Sequence, residues 1–302
     1  MTTAIAQPAG KLTEILYRRQ AATLVASWRL DARYSAGAAV VEEAGAAICL
    51  FPAEPERSVY NNALLDRGLD ATGAARAIDA IEAAYRDAGI DHYAIWAHES
   101  EPAPIAEHTN RGYRFDTSTR AMAMPLERLA DPSPELEPAE LDWARYVRSF
   151  GVPDGLLAGA DAAELGLRAA SLDGAVVAAL LVFDHDGDCG IYNLETLPAA
   201  RRRGIATALT ALQLHDARER GCTTASLQST EVAEGVYASL GFLDLGRYLE
   251  YVPGTSTTRQ PSGSSTVIPP VSSQYGFSGL TGVWPRPASR SATASTSEAE
   301  PR

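Results

Sequence analysis

Lysine is almost missing from this 302-residue chain: Lys11 is the only one, so nearly all of its 26 basic side chains are arginines, and 38 acidic side chains leave a formal charge of −12. So acidic a balance argues against nucleic acid as a partner and is compatible with a cationic amine as substrate. Cysteine is scarce too. Cys49, Cys189 and Cys222 are odd in number, far apart and without metal-ligand spacing, which excludes a disulfide framework, gives no metal site and fits a reduced, cytoplasmic setting. No apolar run is long enough to span a membrane, and the first twenty residues lack a signal-peptide core. No Gly-Lys-Ser/Thr occurs, so a Walker-type phosphate loop is excluded.

What is present suffices for two ordinary domains, since 46% of the residues are apolar. Against the acidic background, Arg201-Arg202-Arg203-Gly204-Ile205-Ala206 concentrates three guanidiniums where a strand end passes through a short loop into a helix. The first amides of a helix lack intrahelical partners, so N–H dipoles and positive charge converge there on a place for an anion. Gly204 and Ala206 leave room for close backbone approach. Three surface arginines with no ligand remain the simpler alternative.

This run resembles the RxxGxG/A pyrophosphate loop of the GNAT superfamily of N-acetyltransferases. Thr196-Leu197-Pro198 stands where that family shows Val-x-Pro, and Val236-Tyr237-Ala238-Ser239-Leu240-Gly241-Phe242 is similar to its Leu-Tyr-x-x-Leu-Gly-Phe helix ending. The resemblance implies an α/β fold with a mixed sheet and direct transfer of an acetyl group from acetyl-CoA to an amine acceptor, small-molecule or peptide. It implies no metal, and a homodimer is left open.

Along the chain, Leu12, Ile15, Leu16, Leu24, Val25 and Trp28 keep a helical spacing. Strands are expected at 46–51, 60–64, 92–96 and 120–124, with helices at 74–88, ended by Gly89, and around 105–110. Gly112 and Gly241 are 129 positions apart, and the strands after Gly89 and Gly221 are 132 apart, which reads as an internal repeat. On that register His108 falls where Tyr237 falls, and Asp70 to Ala75 falls near the arginine loop without its basic run. Two tandem GNAT-like domains are therefore expected: a degenerate copy over 1–128, a Pro-rich acidic linker over 129–138 and an intact copy over 139–253. A Ser/Thr/Pro/Gly-rich tail over 254–302, with Tyr275, Phe277 and Trp284, is expected to be disordered. In the second copy helices are expected around 141–150 and 160–165. Strands follow at 167–171, 175–184 and 189–197, then a helix from Ile205 to Gly221, a strand at 223–229, a short helix through Ala233, Val236, Tyr237 and Leu240, and a closing strand at 247–252.

The resemblance assigns cofactor contacts to Leu194, Glu195 and Thr196, where a splayed strand would hold the pantetheine arm, and to Arg201, Arg202, Arg203, Gly204, Ile205, Ala206 and Thr207 around the pyrophosphate. Thr230 stands where the family often has a cofactor-contacting asparagine. Tyr237 lies where the family's tyrosine protonates the departing thiolate, although apolar packing alone would also explain it. On an alternating strand Asn193 and Glu195 share one face. Glu195 is then either the base that deprotonates the amine, directly or through water, or a solvent-facing glutamate at a sheet opening. A non-catalytic acyl-CoA sensor or interaction scaffold on the same fold is the alternative to an enzyme.

Overall fold

Alternation along the strands decides how the layers form. The computed structural model describes residues 10–56, 58, 60–129, 136, 138–141, 144, 146, 160, 164 and 166–254. Ala47 and Cys49 of β2 (Ala46–Leu50), Leu64 of β3 (Asn62–Leu65) and Ala94 and Trp96 of β4 (Ala94–His98) join one cluster with Leu16, Leu24, Trp28 and Leu30 of α1 (Gly10–Arg33). The intervening Ala46, Ile48, Ala63, Leu65, Ile95 and Ala97 pack with Ala77, Ile78, Ile81 and Tyr85 of α2 (Ala71–Asp87). Burial on both faces is why these short strands read as continuous apolar runs.

The later half repeats the arrangement. Leu180 and Val182 of β8 (Ala175–His185), Cys189 and Ile191 of β9 (Asp188–Thr196) and Ala225 and Leu227 of β10 (Thr224–Ser229) cluster with Leu209, Leu214 and Ala217 of α4 (Ile205–Glu219) and Tyr237 of α5 (Glu234–Ser239). Phe183 and Tyr192 face the other way, onto the cluster around α1. Strands at both ends of the sheet thus reach α1, and the sheet curls about that helix.

The remaining strands are β1 (Ala39–Glu43), β5 (Arg114–Pro125), β6 (Pro138–Ala139), β7 (Leu167–Leu172) and β11 (Leu243–Val252), and α3 spans Pro102–Asn110. All form one mixed sheet in the order β1-β2-β3-β4-β11-β5-β10-β9-β8-β7-β6. Only β3–β4 and β9–β10 run parallel. With β6 set aside, the order reads the same from either end when β1–β5 are exchanged for β7–β11. The register carries the same relation. Thr119 faces Tyr248, 129 positions on, and the pair Arg120–Ser229 has its counterpart in Leu249–Ala97, at offsets of 129 and 132.

One expectation is corrected here. The strand at 247–252 was expected to close the sheet of its own half, yet β11 lies between β4 and β5, and β5 lies against β10. Each half ends in the other, so the fold is a single sheet rather than two. The exposed strand β1 was not expected; its apolar residues are only Ala39, Val40 and Val41, and it sits at a sheet edge that Glu42 and Glu43 protect with charge. Ile15, expected on the buried face of α1, is 47% exposed. The buried stripe runs instead through Leu16, Gln20, Thr23, Leu24 and Ser27. Of its polar members, Gln20 Oε1 accepts from the Tyr248 hydroxyl at 2.7 Å and the Ser27 hydroxyl donates to Leu24 O at 2.7 Å, while the buried Thr23 hydroxyl meets no partner. His108 is a core histidine stacked on Tyr251 at 4.4 Å, and burial pushes its imidazole down to about 4. The expected linker and tail lie, apart from Leu129, Leu136, Pro138 and Gly254, outside the described residues, as does most of the segment where helices were expected at 141–150 and 160–165. No helix among the described residues is long and apolar enough to cross a membrane.

Two outcomes follow. Expressed separately, residues 10–129 and 139–254 should each lack cooperative unfolding and regain it on mixing; a cooperatively folded 139–254 segment alone would contradict the exchanged strands. Glu250, 8% exposed, has its carboxyl pushed up to about 8 by burial and then by Asp116. Its folded-state value exceeds the ordinary one, so its contribution to stability is full at low pH and is lost as pH rises through about 8. Glu250→Gln should therefore stabilise the protein at pH 9 by roughly 2 kcal/mol or more, and flatten the pH dependence of denaturant midpoints.

Candidate functional site

Parallel strands β9 and β10 start together and then part. Their register covers only Asp188–Gly190 against Thr224–Ser226, whereas β9 continues to Thr196 and β10 to Ser229. The closed end is pinned by Asp188, which is buried and accepts from the hydroxyls of Thr224 at 2.6 Å and Ser226 at 2.5 Å. Beyond it the two strands leave a V-shaped gap. On its other edge β9 remains paired with β8, through a register shift between Ala179–Glu195 and Leu181–Tyr192 that inserts one extra residue into β9. Asn193, at φ 50°, takes up the bulge. Leu194 turns onto the cluster under α4, while the buried Tyr146 packs in a cluster that Tyr192 of the same strand joins, near enough to feel the charge of Glu195. The sequence singled out neither Asp188 nor Tyr146.

At the open end the chain crosses a short turn, Pro198–Ala200, and enters α4. Gly204 is the residue before the helix, at φ 77°, and no side chain caps it. From Arg202 to Thr207 the six amides meet no acceptor among the described residues. Arg201, Arg202 and Arg203 are exposed; Arg201 donates through Nε to Thr196 O at 2.9 Å, which ties the loop to the end of β9. Ile205 is buried beneath the helix, and Ala206 and Thr207 are half-buried.

The equivalent helix start in the first half is closed. Asp70 precedes α2 and its carboxylate accepts from Gly73 N at 2.7 Å. The gap beside it is latched as well. Glu101, beyond β4, accepts from Gly68 N at 2.7 Å and from Arg67 Nε at 3.2 Å, both beyond β3. Arg67 reaches Glu14 at 2.9 Å and lies over the Tyr17 ring at 4.7 Å.

Of the remaining expected residues, Glu195 is half-buried beside the bulge. Burial raises its carboxyl above the ordinary range, and Arg201 draws it partway back. Thr196 is half-buried, and its hydroxyl oxygen is a buried atom with no partner. Thr230 follows β10, where its carbonyl accepts from Ala233 N at 2.9 Å. Tyr237 is buried, packs edge-on to Phe242 at 5.8 Å and has its phenol pushed up by burial. It shares a cluster with Leu194 and Ile205, so the ends of β9, α4 and α5 meet. A clamp the sequence did not suggest fixes α5. Glu234, one turn before Tyr237, bonds Arg120 of β5 at 2.8 Å and Arg247 of β11 at 2.5 Å, and Arg120 also bonds Asp244. No group of His, Cys, Asp and Glu among the described residues is arranged to hold a metal ion.

Residues 125–242 match the family model described as the acetyltransferase (GNAT) family. The matched segment runs from the last residue of β5 to the residue before β11, so it omits both exchanged strands. The fold is similar to that of a GCN5-related N-acetyltransferase from Kribbella flavida, at a TM-score of 0.60 and 18% identity over 83% of this chain and 98% of that one. It is also similar to a functionally unknown conserved protein from Staphylococcus epidermidis ATCC 12228, at 0.53 and 11% over 70% and 92%. No curated protein is matched in sequence. The family match is to this segment, and the likeness to the two structures is one of fold.

Gly204 offers a test of the loop. A Cβ there would meet nothing within 4 Å, so the cost of substitution is that of the left-handed backbone alone. Gly204→Ala should destabilise the protein by about 1–2 kcal/mol in urea unfolding; an unchanged midpoint would mean that the loop does not hold this conformation.

Proposed function

We propose that residues 139–253 form an N-acetyltransferase unit that moves an acetyl group from acetyl-CoA to an amine, and that 1–128 is a degenerate copy of the same unit. The observation that carries this is the run of open amides from Arg202 to Thr207 at the end of the β9–β10 gap. Such a row of unsatisfied N–H groups, with the positive end of α4 behind it, suits a diphosphate. Arg201, Arg202 and Arg203 add charge around it. The unpaired edge of β9 from Leu194 to Thr196 offers main-chain groups to an amide-bearing arm, with the Thr196 hydroxyl and Thr230 as further contacts. The first half retains the scaffold, but Asp70 fills the corresponding helix start and the Arg67–Glu101 latch fills the gap.

Acetyl-CoA supplies an activated thioester; the protein supplies alignment and proton transfer. Glu195, whose burial raises its carboxyl, takes a proton from the acceptor ammonium, directly or through water, and frees the nitrogen lone pair for the carbonyl carbon. As the new C–N bond forms and the C–S bond breaks, Tyr237 gives its proton to the departing sulfur, and the second proton lost by the nitrogen restores the phenol, leaving a neutral amide and a free thiol. Burial favours the neutral phenol, which keeps that proton available at neutral pH. The Glu234 clamp holds the helix that carries it. The acceptor is a small-molecule or peptide amine.

Calorimetry with acetyl-CoA should show binding by the wild type. Tyr237→Phe should bind equally well while kcat falls by ~10² or more. Absence of acetyl-CoA binding would end the reading of the fold as a transferase, and full kcat in the phenylalanine variant would end the role given to Tyr237.

A further inference from the structure

Alanine and glycine line a cavity in the first half of the chain that no residue of the β9–β10 gap borders. It lies between one face of α1 and the strands β1–β3, and its volume of about 670 Å³ is that of a small-molecule site. Small side chains keep it open. Ala21 and Ala22 of α1 face Ala44, Gly45, Ala46 and Ala47 of the β1–β2 hairpin across it. On α1 the lining positions 14, 18, 21, 22, 25 and 29 recur at helical spacing, so the cavity follows the helix for roughly 22 Å. Its floor is apolar, since Val25, Ala47 and Leu64 are buried members of the cluster beneath α1.

The charges that line it are paired except at one place. Arg29 holds Glu42 at 2.5 Å, and Glu14 accepts from Arg18 at 2.7 Å and from Arg67 at 2.9 Å. Arg67 also reaches Glu101 at 3.2 Å, and His185, from β8, faces Asp186 at 3.6 Å. The Asp66 carboxylate makes no hydrogen bond or ion pair among the described residues. Its position is fixed by the backbone. Asp66 N donates to Gly45 O at 2.9 Å, and Asp66 Oδ2 lies 3.7 Å from the point a Cβ on Gly45 would occupy. Ala44 and Gly45, at φ 51° and 87°, make the tight turn between the register partners Glu43 and Ala46, so the carboxylate stands against a rigid end wall. Continuing the alternation of β3, Asp66 falls with Leu64 on the side that faces α1. Partial burial and then the charge of Glu42 raise its carboxyl above the ordinary range. An unpaired surface acid alone would carry nothing. This one borders an apolar cavity whose arginines are all held by other carboxylates.

We propose that the cavity binds a linear primary amine, with its alkyl chain along Val25, Ala47 and Leu64 and its ammonium on Asp66. The site goes beyond the acyl-transfer reading and does not depend on it. An ammonium supplies the charge that Asp66 lacks and offsets the repulsion between Asp66 and Glu42. A neutral head group forfeits that gain, and a carboxylate adds a further negative charge beside both. The chain contributes by leaving water for the alanine-lined floor.

The test is equilibrium binding of hexylammonium, 1-hexanol and hexanoate to the intact protein without acetyl-CoA, so that one chain carries three head groups. The wild type should bind hexylammonium best and hexanoate least. Asp66→Asn should weaken hexylammonium about tenfold and leave 1-hexanol unchanged, and Asp66→Glu should recover part of the loss. Ala22→Phe, at an exposed lining position, should weaken hexylammonium and 1-hexanol alike by filling the cavity. Hexanoate binding as tightly as hexylammonium overturns the proposal, and so does a wild type that binds none of the three. Hexylammonium binding that neither Asp66→Asn nor Ala22→Phe weakens overturns it too, because the amine then sits elsewhere. Should one variant not fold, the other and the wild-type ranking decide. Failure of acetyl-CoA to bind leaves these measurements intact, so the two readings fail separately.

Discussion

The antiparallel ladder between β5 and β11 holds the rest of the molecule in place. It sits at the centre of the sheet, joins the last strand of one half to the last strand of the other, and passes through the Thr119–Tyr248 pair that relates the halves. Because β5 is also the neighbour of β10, one wall of the gap in the second half is braced by the first. The Glu234 clamp depends on the same ladder, since Arg120 and Arg247 are register partners across it. Losing one ladder bond costs little in water, but an unpaired strand edge in a buried sheet centre leaves several polar groups unsatisfied at once.

The two halves show how little chemistry separates an open helix start from a closed one. Both place a helix after a parallel strand. In one, a carboxylate caps the first turn, satisfies an amide and adds negative charge where an anion would have to sit. In the other, a left-handed glycine opens the turn and no side chain competes. An N-cap contributes about 1 kcal/mol to stability, so the open start at Gly204 forgoes stability that α2 retains. That asymmetry is expected where a backbone surface is kept for a ligand.

Periodicity made most of the fold legible. The helices at 71–87 and 205–219 and the strands at 46–50, 94–98 and 224–229 lie within a few residues of their sequence-based bounds, because each couples an apolar pattern to a clear stop such as Gly89 or Gly221. The repeat was legible as offsets of 129 and 132, and the sheet register carries those same offsets. The exchange of β5 and β11 was not, since either pairing satisfies the same alternation and the choice is made by tertiary packing alone. At the site, the arginine loop and Tyr237 stood out by motif. Asp188, Tyr146, Arg120 and Glu234 did not, because partners as far apart as Asp188 and Thr224, 36 positions, or Arg120 and Glu234, 114 positions, leave no local spacing to find. The bulge at Asn193 carries no glycine to announce it.

Charge changes sign over a short stretch at the open end of the gap. Three exposed arginines and a helix N-terminus lie at the mouth, and the half-buried Glu195 lies between them and the bulge at Asn193. The net charge of −12 does not conflict with holding a polyanion at the mouth, because exposed charges are screened over roughly 8 Å in physiological salt and the loop acts at contact distance. At longer range the same net charge draws cations and repels anions. On the proposed reading a polyanionic donor would be held by short-range main-chain hydrogen bonds, while the distant field would favour a cationic acceptor. The donor's phosphates would then lie at the arginine loop, with Glu195 between that loop and the bulge of β9.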